Sequence, residues 1–208
     1  MFMLFKDRTD AGKKLANLLK KKLRRVDYVI SLLRGGVIVG QEIDRKFKAS
    51  HFFLPVAKIS HPFNPELAVG ALCFSKIYLE NQNISEINFQ IKLAKEKFAS
   101  YLKRFSLKKT LYKKLMNKVV VLVDDGIATG STVKAAALFL KSQKPKKLIL
   151  ASPVAPTDFH PDLFDQTVIF HRDPFLSAIS QYYESFPQVD DDKILRLLRP
   201  PSKVGSSQ

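Results

Sequence analysis

Apolar residues along the chain fall into two recurring patterns, and the two alternate. Short, mostly apolar runs occur at 28–33, 119–123, 148–155 and 167–170, each bounded by polar or turn-forming residues. Runs of that length, rich in Val, Ile and Leu, predict strands, and five aliphatic residues in a row at Val119 to Val123 predict one buried on both faces. Between the runs, apolar residues recur at helical spacing. Ala11, Leu15, Leu18, Leu19 and Leu23 form one face of 10–23, with Asp7, Thr9 or Asp10 available as its cap. Val37, Ile38, Ile43 and Phe47 do the same in 37–47. Further helices are predicted over 84–105, 133–140 and 190–198, the second of these three ended by Pro145. Residues 51–59 are strand-like, His61 to Pro65 form a turn cluster, and 66–73 with 77–79 predict a hairpin. Residues 106–117 read as a basic connection back to the central strand. This alternation of strands and helices predicts an α/β fold, with a mostly parallel sheet covered by helices on both faces.

Composition changes this picture in three places. With 208 residues, nearly half of them apolar, the chain suffices for one α/β domain with a small appendage. No run is long and apolar enough to span a bilayer, and residues 1–8 lack the layout of a signal peptide. Cys73 is the single cysteine, so no internal disulfide can form and a reducing, cytoplasmic setting is expected. The formal net charge of +16 raises the possibility of a nucleic-acid partner. However, the lysines sit in separate groups, at 20–22, 108–109, 113–114 and 144–147, and no nucleic-acid motif accompanies them. A lysine-rich surface that attracts polyanionic metabolites is the favoured reading. His51 and His61 show no metal-ligand spacing.

The candidate chemistry lies where strands meet helices. After Val123 come Asp124 and Asp125, then Gly126, Ile127, Ala128, Thr129, Gly130, Ser131 and Thr132, then a helical run. A helix N-terminus offers unpaired N–H groups and partial positive charge, and the hydroxyls and glycines add donors and close backbone approach, a set suited to phosphate. The two carboxylates suit vicinal hydroxyls or a hydrated cation instead. A ligand with a sugar diol near one phosphate satisfies both halves. No Lys follows the second glycine, so this is not a Walker A loop. A second strand–turn–helix unit carries Arg34, Gly35 and Gly36, where a guanidinium and bare amides can meet an anion.

The stretch from Val119 to Thr132 resembles the 5-phosphoribosyl 1-pyrophosphate (PRPP) signature of type I phosphoribosyltransferases. The opening Phe5-Lys6-Asp7-Arg8, and the stretches at 151–156, 173–175 and 182–191, resemble a group of predicted bacterial phosphoribosyltransferases of unassigned substrate. The resemblance implies the type I fold with a small hood, a flexible hairpin that closes over the site, and transfer of a phosphoribosyl group from PRPP to a nitrogenous acceptor. In that reading 1–198 is a single domain with a mobile hairpin region at 57–82, a hood and C-terminal part at 153–198, and a disordered tail at 199–208. A homodimer is the expected assembly. The resemblance assigns the 5-phosphate to Gly126 through Thr132, the pyrophosphate to Arg34, Gly35 and Gly36, and catalytic roles to Asp124, Asp125 and Arg34. It further implies Mg²⁺ as cofactor, held by Asp124 and Asp125 directly or through water. Leu33 departs from the proline that often precedes the arginine in relatives. The acidic residue that hypoxanthine–guanine enzymes carry in the phosphate loop is replaced by Ala128, as in adenine- and uracil-type relatives, which disfavours a 6-oxopurine. Phe175, Tyr182, Tyr183 and Phe186 are candidates for an acceptor pocket, or equally for the hydrophobic seam of the hood. Two rival readings share the same residues: a PRPP- or nucleotide-sensing regulator with a basic nucleic-acid face, and a nucleotide-binding scaffold without turnover.

Overall fold

The computed structural model describes residues 3–81 and 84–198. Its central sheet has five parallel strands, ordered β2 (Ser50–Leu54), β1 (Tyr28–Leu32), β6 (Val119–Val123), β7 (Lys147–Pro156) and β8 (Gln166–Asp173). A smaller antiparallel sheet joins β3 (Ala57–His61), β4 (Asn64–Cys73) and β5 (Lys76–Leu79). The expected α/β architecture, a parallel sheet with helices on both faces, is what the chain adopts.

The middle strand shows why an unbroken apolar run was needed. Val120 and Leu122 face one layer, with α4 (Ser131–Lys141) and the buried Tyr112 and Leu115. Val121 and Val123 face the other, with α1 (Arg8–Lys22) and α2 (Gly36–Phe47). All four are fully buried, so neither face of β6 can carry a polar side chain. Asp7 caps α1 by accepting the Asp10 amide at 2.8 Å. α3 (Ile87–Arg104) packs Ala94 and Phe98 on the small sheet, and α5 (Asp191–Leu198) buries Ile194 against α2.

Two stretches differ from the sequence-based expectation. Residues 51–59, expected as one strand, split at Pro55 into β2 of the large sheet and β3 of the small one. Proline removes an amide donor, and the chain changes sheets there. The basic connection at 106–117 contains a short 3₁₀ helix, Lys109–Leu115, which buries Tyr112 and Leu115 beneath β2 and α4 and bonds the Tyr112 hydroxyl to the Phe53 carbonyl. The expected tail at 199–208, and residue 82 of the expected mobile region, lie outside the described residues.

The connections from β1 and from β6 leave on opposite faces of the sheet, because α2 packs on one side and α4 on the other. Neighbouring parallel strands whose crossovers diverge in this way leave a crevice at their carboxyl ends, the usual ligand position in open α/β sheets.

Candidate functional site

Both candidate loops open into that crevice. A cleft of about 460 Å³ is lined by Arg34 and Gly35 from the turn after β1, and by Asp124, Asp125, Gly126 and Ala128 to Thr132 from the loop after β6. That volume lies within the range of small-molecule sites, roughly 300–1,000 Å³. Arg34 and Thr129 therefore share one cavity, although they stand far apart in sequence.

The two loops are packed against each other as well. A Cβ on Gly35 would lie 1.8 Å from an Asp125 carboxylate oxygen, and one on Gly36 would lie 2.8 Å from the Val123 carbonyl. The double glycine thus lets the acidic pair stand directly over the neighbouring turn. The Leu33–Arg34 peptide bond is cis. The Arg34 guanidinium reaches Asp191 at 3.4 Å, and Arg104 bonds the same carboxylate.

In the second loop the Ile127 amide donates to the Val154 carbonyl at 2.9 Å and its side chain is buried, which pins the turn to β7. Gly130 has φ +81°, and a Cβ there would lie 2.2 Å from the Phe159 ring, so backbone conformation and space both require glycine. The Ser131 hydroxyl donates to Glu80 at 2.8 Å and lies 3.0 Å from the Thr129 hydroxyl. The loop meets α4 at its first turn, where amides lack intrahelical partners.

The acidic pair is electrostatically uneven. Asp125 Oδ2 accepts from Arg8 Nε at 2.6 Å, and its backbone carbonyl accepts from the Tyr183 hydroxyl at 2.7 Å. The Asp124 carboxyl is pushed well above the ordinary carboxylate value, first by burial and then by the adjacent charge of Asp125; the Asp125 amide bond and Lys58 partly offset this. Among the described residues, no group of three or more His, Cys, Asp or Glu is placed to hold a metal by itself. Two adjacent carboxylates beside the two anion-suited turns do fit Mg²⁺, which typically binds one or two protein carboxylates while keeping water and substrate phosphate ligands.

The sequence left Phe175, Tyr182, Tyr183 and Phe186 open between an acceptor pocket and the hydrophobic seam of the hood, and the structure separates them by position. Phe175 is 86% exposed and does not line the cleft. Tyr182 and Tyr183 are buried in a cluster with Phe5 and Ala11, forming the seam between the C-terminal segment and α1. Ile179, Phe186, Gln188 and Val189 line the cleft, so of the four aromatic candidates only Phe186 reaches it. Aromatic content alone cannot separate a seam from a wall.

Other cleft residues were missed. Arg8 is the first residue of α1, and its partner Asp125 is 117 residues away. Lys58 and Lys97 also line the cleft, with no ion pair among the described residues. The alternating pattern of β3, with Ala57 and Ile59 buried and Lys58 exposed between them, was the one local signal.

Fold and cleft together define an α/β protein of the type I phosphoribosyltransferase class, with a cleft at the carboxyl ends of β1 and β6. The chain matches the phosphoribosyl transferase domain family over residues 6–162 and belongs to that family. It is 31% identical over 213 aligned positions to two Mycobacterium tuberculosis proteins, "Putative phosphoribosyl transferase MT0597" of strain CDC 1551 / Oshkosh and "Putative phosphoribosyl transferase Rv0571c" of strain H37Rv. The alignment covers 94% of this chain and 46% of each relative, so the chain spans about half the length of the curated relatives it matches. Among solved structures, TT1426 from Thermus thermophilus is similar with a TM-score of 0.68 and 28% identity, covering 94% of this chain and 98% of that one.

Proposed function

We propose that the protein transfers the 5-phosphoribosyl group of PRPP to a nitrogenous acceptor, with Mg²⁺-assisted release of pyrophosphate. The observation that carries this reading is the shared cleft: two separate anion-suited turns flank one pair of carboxylates at adjacent strand ends.

The residues divide the work by chemistry. The hydroxyls of Thr129, Ser131 and Thr132 and the first-turn amides of α4 hold the 5-phosphate and orient the sugar. Asp124 and Asp125 accept hydrogen bonds from the ribose diol and lie on the side where positive charge develops as the C1 bond to pyrophosphate breaks. Arg34 and the Gly35 and Gly36 amides take the departing diphosphate, whose charge Mg²⁺ neutralises when bound. Asp191 holds the Arg34 guanidinium at the rim. On the acceptor side, Ile179, Phe186 and Val189 supply an apolar wall suited to a planar ring, with Gln188 as an amide that can both donate and accept. This wall lies beyond residue 162, where the match to the family ends.

The test is calorimetric titration of wild type and Asp124→Asn with PRPP and Mg²⁺, followed by a nucleobase screen for pyrophosphate release. Wild type is expected to bind, and Asp124→Asn to lose roughly tenfold or more in affinity, the effect of about 1.4 kcal/mol or more of lost interaction. Equal binding by the two proteins would falsify the role given to the acidic pair. Binding without release by any base would place the protein among PRPP sensors.

A further inference from the structure

The geometry points to Arg8 as a positioning residue that couples the ribose-binding carboxylates to the acceptor wall, an inference that rests on the function proposed above. Arg8 lies one residue beyond the α1 cap, yet its side chain is only 10% exposed. Its three contacts come from two distant segments. Nε donates to Asp125 at 2.6 Å, a terminal nitrogen donates to the Pro187 carbonyl at 2.7 Å, and the guanidinium lies 3.6 Å over the Phe186 ring.

Each contact has a consequence in the cleft. Asp124 and Asp125 are adjacent carboxylates in a poorly solvated place, where two like charges oppose each other unless a cation compensates. Arg8 is the cation in direct contact. Its Nε–H fixes one Asp125 oxygen while the Tyr183 hydroxyl fixes that residue's backbone carbonyl. Asp125 is therefore held from its main chain and from its side chain, as a preorganised site requires. The second nitrogen and the π face secure Pro187 and Phe186, and the next two residues, Gln188 and Val189, continue the cleft wall. One planar group thereby sets the spacing between the carboxylates under the sugar and the surface that receives the acceptor. Lysine could supply the charge but not the fork and the flat face together.

A double-mutant cycle on Mg²⁺–PRPP affinity tests this. Arg8→Gln, Asp125→Asn and the double variant are titrated by calorimetry, with circular dichroism and thermal unfolding confirming that each is folded. Arg8→Lys replaces Arg8→Gln in the cycle if the glutamine variant does not fold. If Arg8 acts through Asp125, each single change weakens binding about tenfold and the double variant is within about threefold of the worse single, because contacting residues do not contribute additively. The inference is overturned if the Arg8 variant binds like wild type, or if the two losses multiply to about a hundredfold, as independent structural damage does. Failure of wild type itself to bind PRPP overturns the cleft assignment and this role with it, a result distinct from binding with additive losses.

Discussion

At the scale of single residues, the site combines groups that stability alone would not select. Asp124 is the clearest case, a carboxyl held above its ordinary value of 3.8 by burial and by the Asp125 charge. Below pH 3.8 it is protonated in both folded and unfolded chains. As pH rises, the unfolded chain ionises first while the folded one keeps its proton, so stability declines until the folded-state value is passed. Asn is neutral at every pH and nearly isosteric. Asp124→Asn is therefore expected to unfold at a temperature close to wild type near pH 4 and at a higher one near pH 8, while losing PRPP binding. Thermal unfolding across that range checks it, and a gap independent of pH would contradict the assigned cause. The glycines carry the complementary constraint. Gly35 and Gly130 have side-chain volume denied to them by Asp125 and Phe159, residues that lie in other segments.

At the scale of elements, polar relays fasten the strands that present the site. Ser31 on β1 is fully buried, and its hydroxyl lies 2.7 Å from His51 Nε2 on β2. His51 Nδ1 lies 2.7 Å from Asp44 on α2, which locks β1, β2 and α2 together next to the Arg34 turn. Gly40 makes room, since a Cβ there would lie 1.9 Å from the Ser31 hydroxyl. The constellation has the residue types of a hydrolytic triad, but its serine is inaccessible, so its role is structural. His51→Ala leaves Ser31 without that partner and is expected to cost about 1–3 kcal/mol, measured by urea denaturation. A double change of Ser31 and His51 to apolar residues should recover part of that loss. Local patterns located most of these elements, because strand and helix periods are properties of a few consecutive residues. The division of 51–59 between two sheets was not legible, since its apolar positions continue through Pro55 and only packing partners distinguish the two halves.

At the scale of the molecule, the small sheet contributes to the cleft and is bonded to α4. Val56, Lys58 and Ala68 line the cavity, while Tyr78 bonds Lys134 and Glu80 bonds Ser131 at the start of α4. A phosphate seated in the loop competes with Glu80 for the Ser131 hydroxyl and offers Lys58 an anion. Ligand binding should therefore change the motion of β3 to β5 more than that of the central sheet. Hydrogen–deuterium exchange is expected to show faster exchange at 57–79 than in β1, β6 and β7 for the free protein, and slowing at 57–79 on addition of PRPP and Mg²⁺. Unchanged exchange there under saturating ligand would remove the small sheet from the binding event. Among the described residues no helix is long and apolar enough to cross a membrane. The large positive charge enters the site through Arg34, Lys58 and Lys97, which face the cavity where an anionic substrate would lie.

The order of residues by itself determined the α/β class and the two loops, with the residue types that each loop presents. Each of those features is local: a strand, its polar end and the first turn of the next helix lie within some fifteen consecutive residues, as from Val119 to Thr132. Only the tertiary structure decided what surrounds them. Arg8 meets Asp125 across 117 positions, Phe186 rather than Phe175 reaches the cleft, and Glu80, just past the end of β5, arrives at the loop after β6. These contacts depend on the direction in which the chain returns after each strand, and no periodicity in the sequence records that direction.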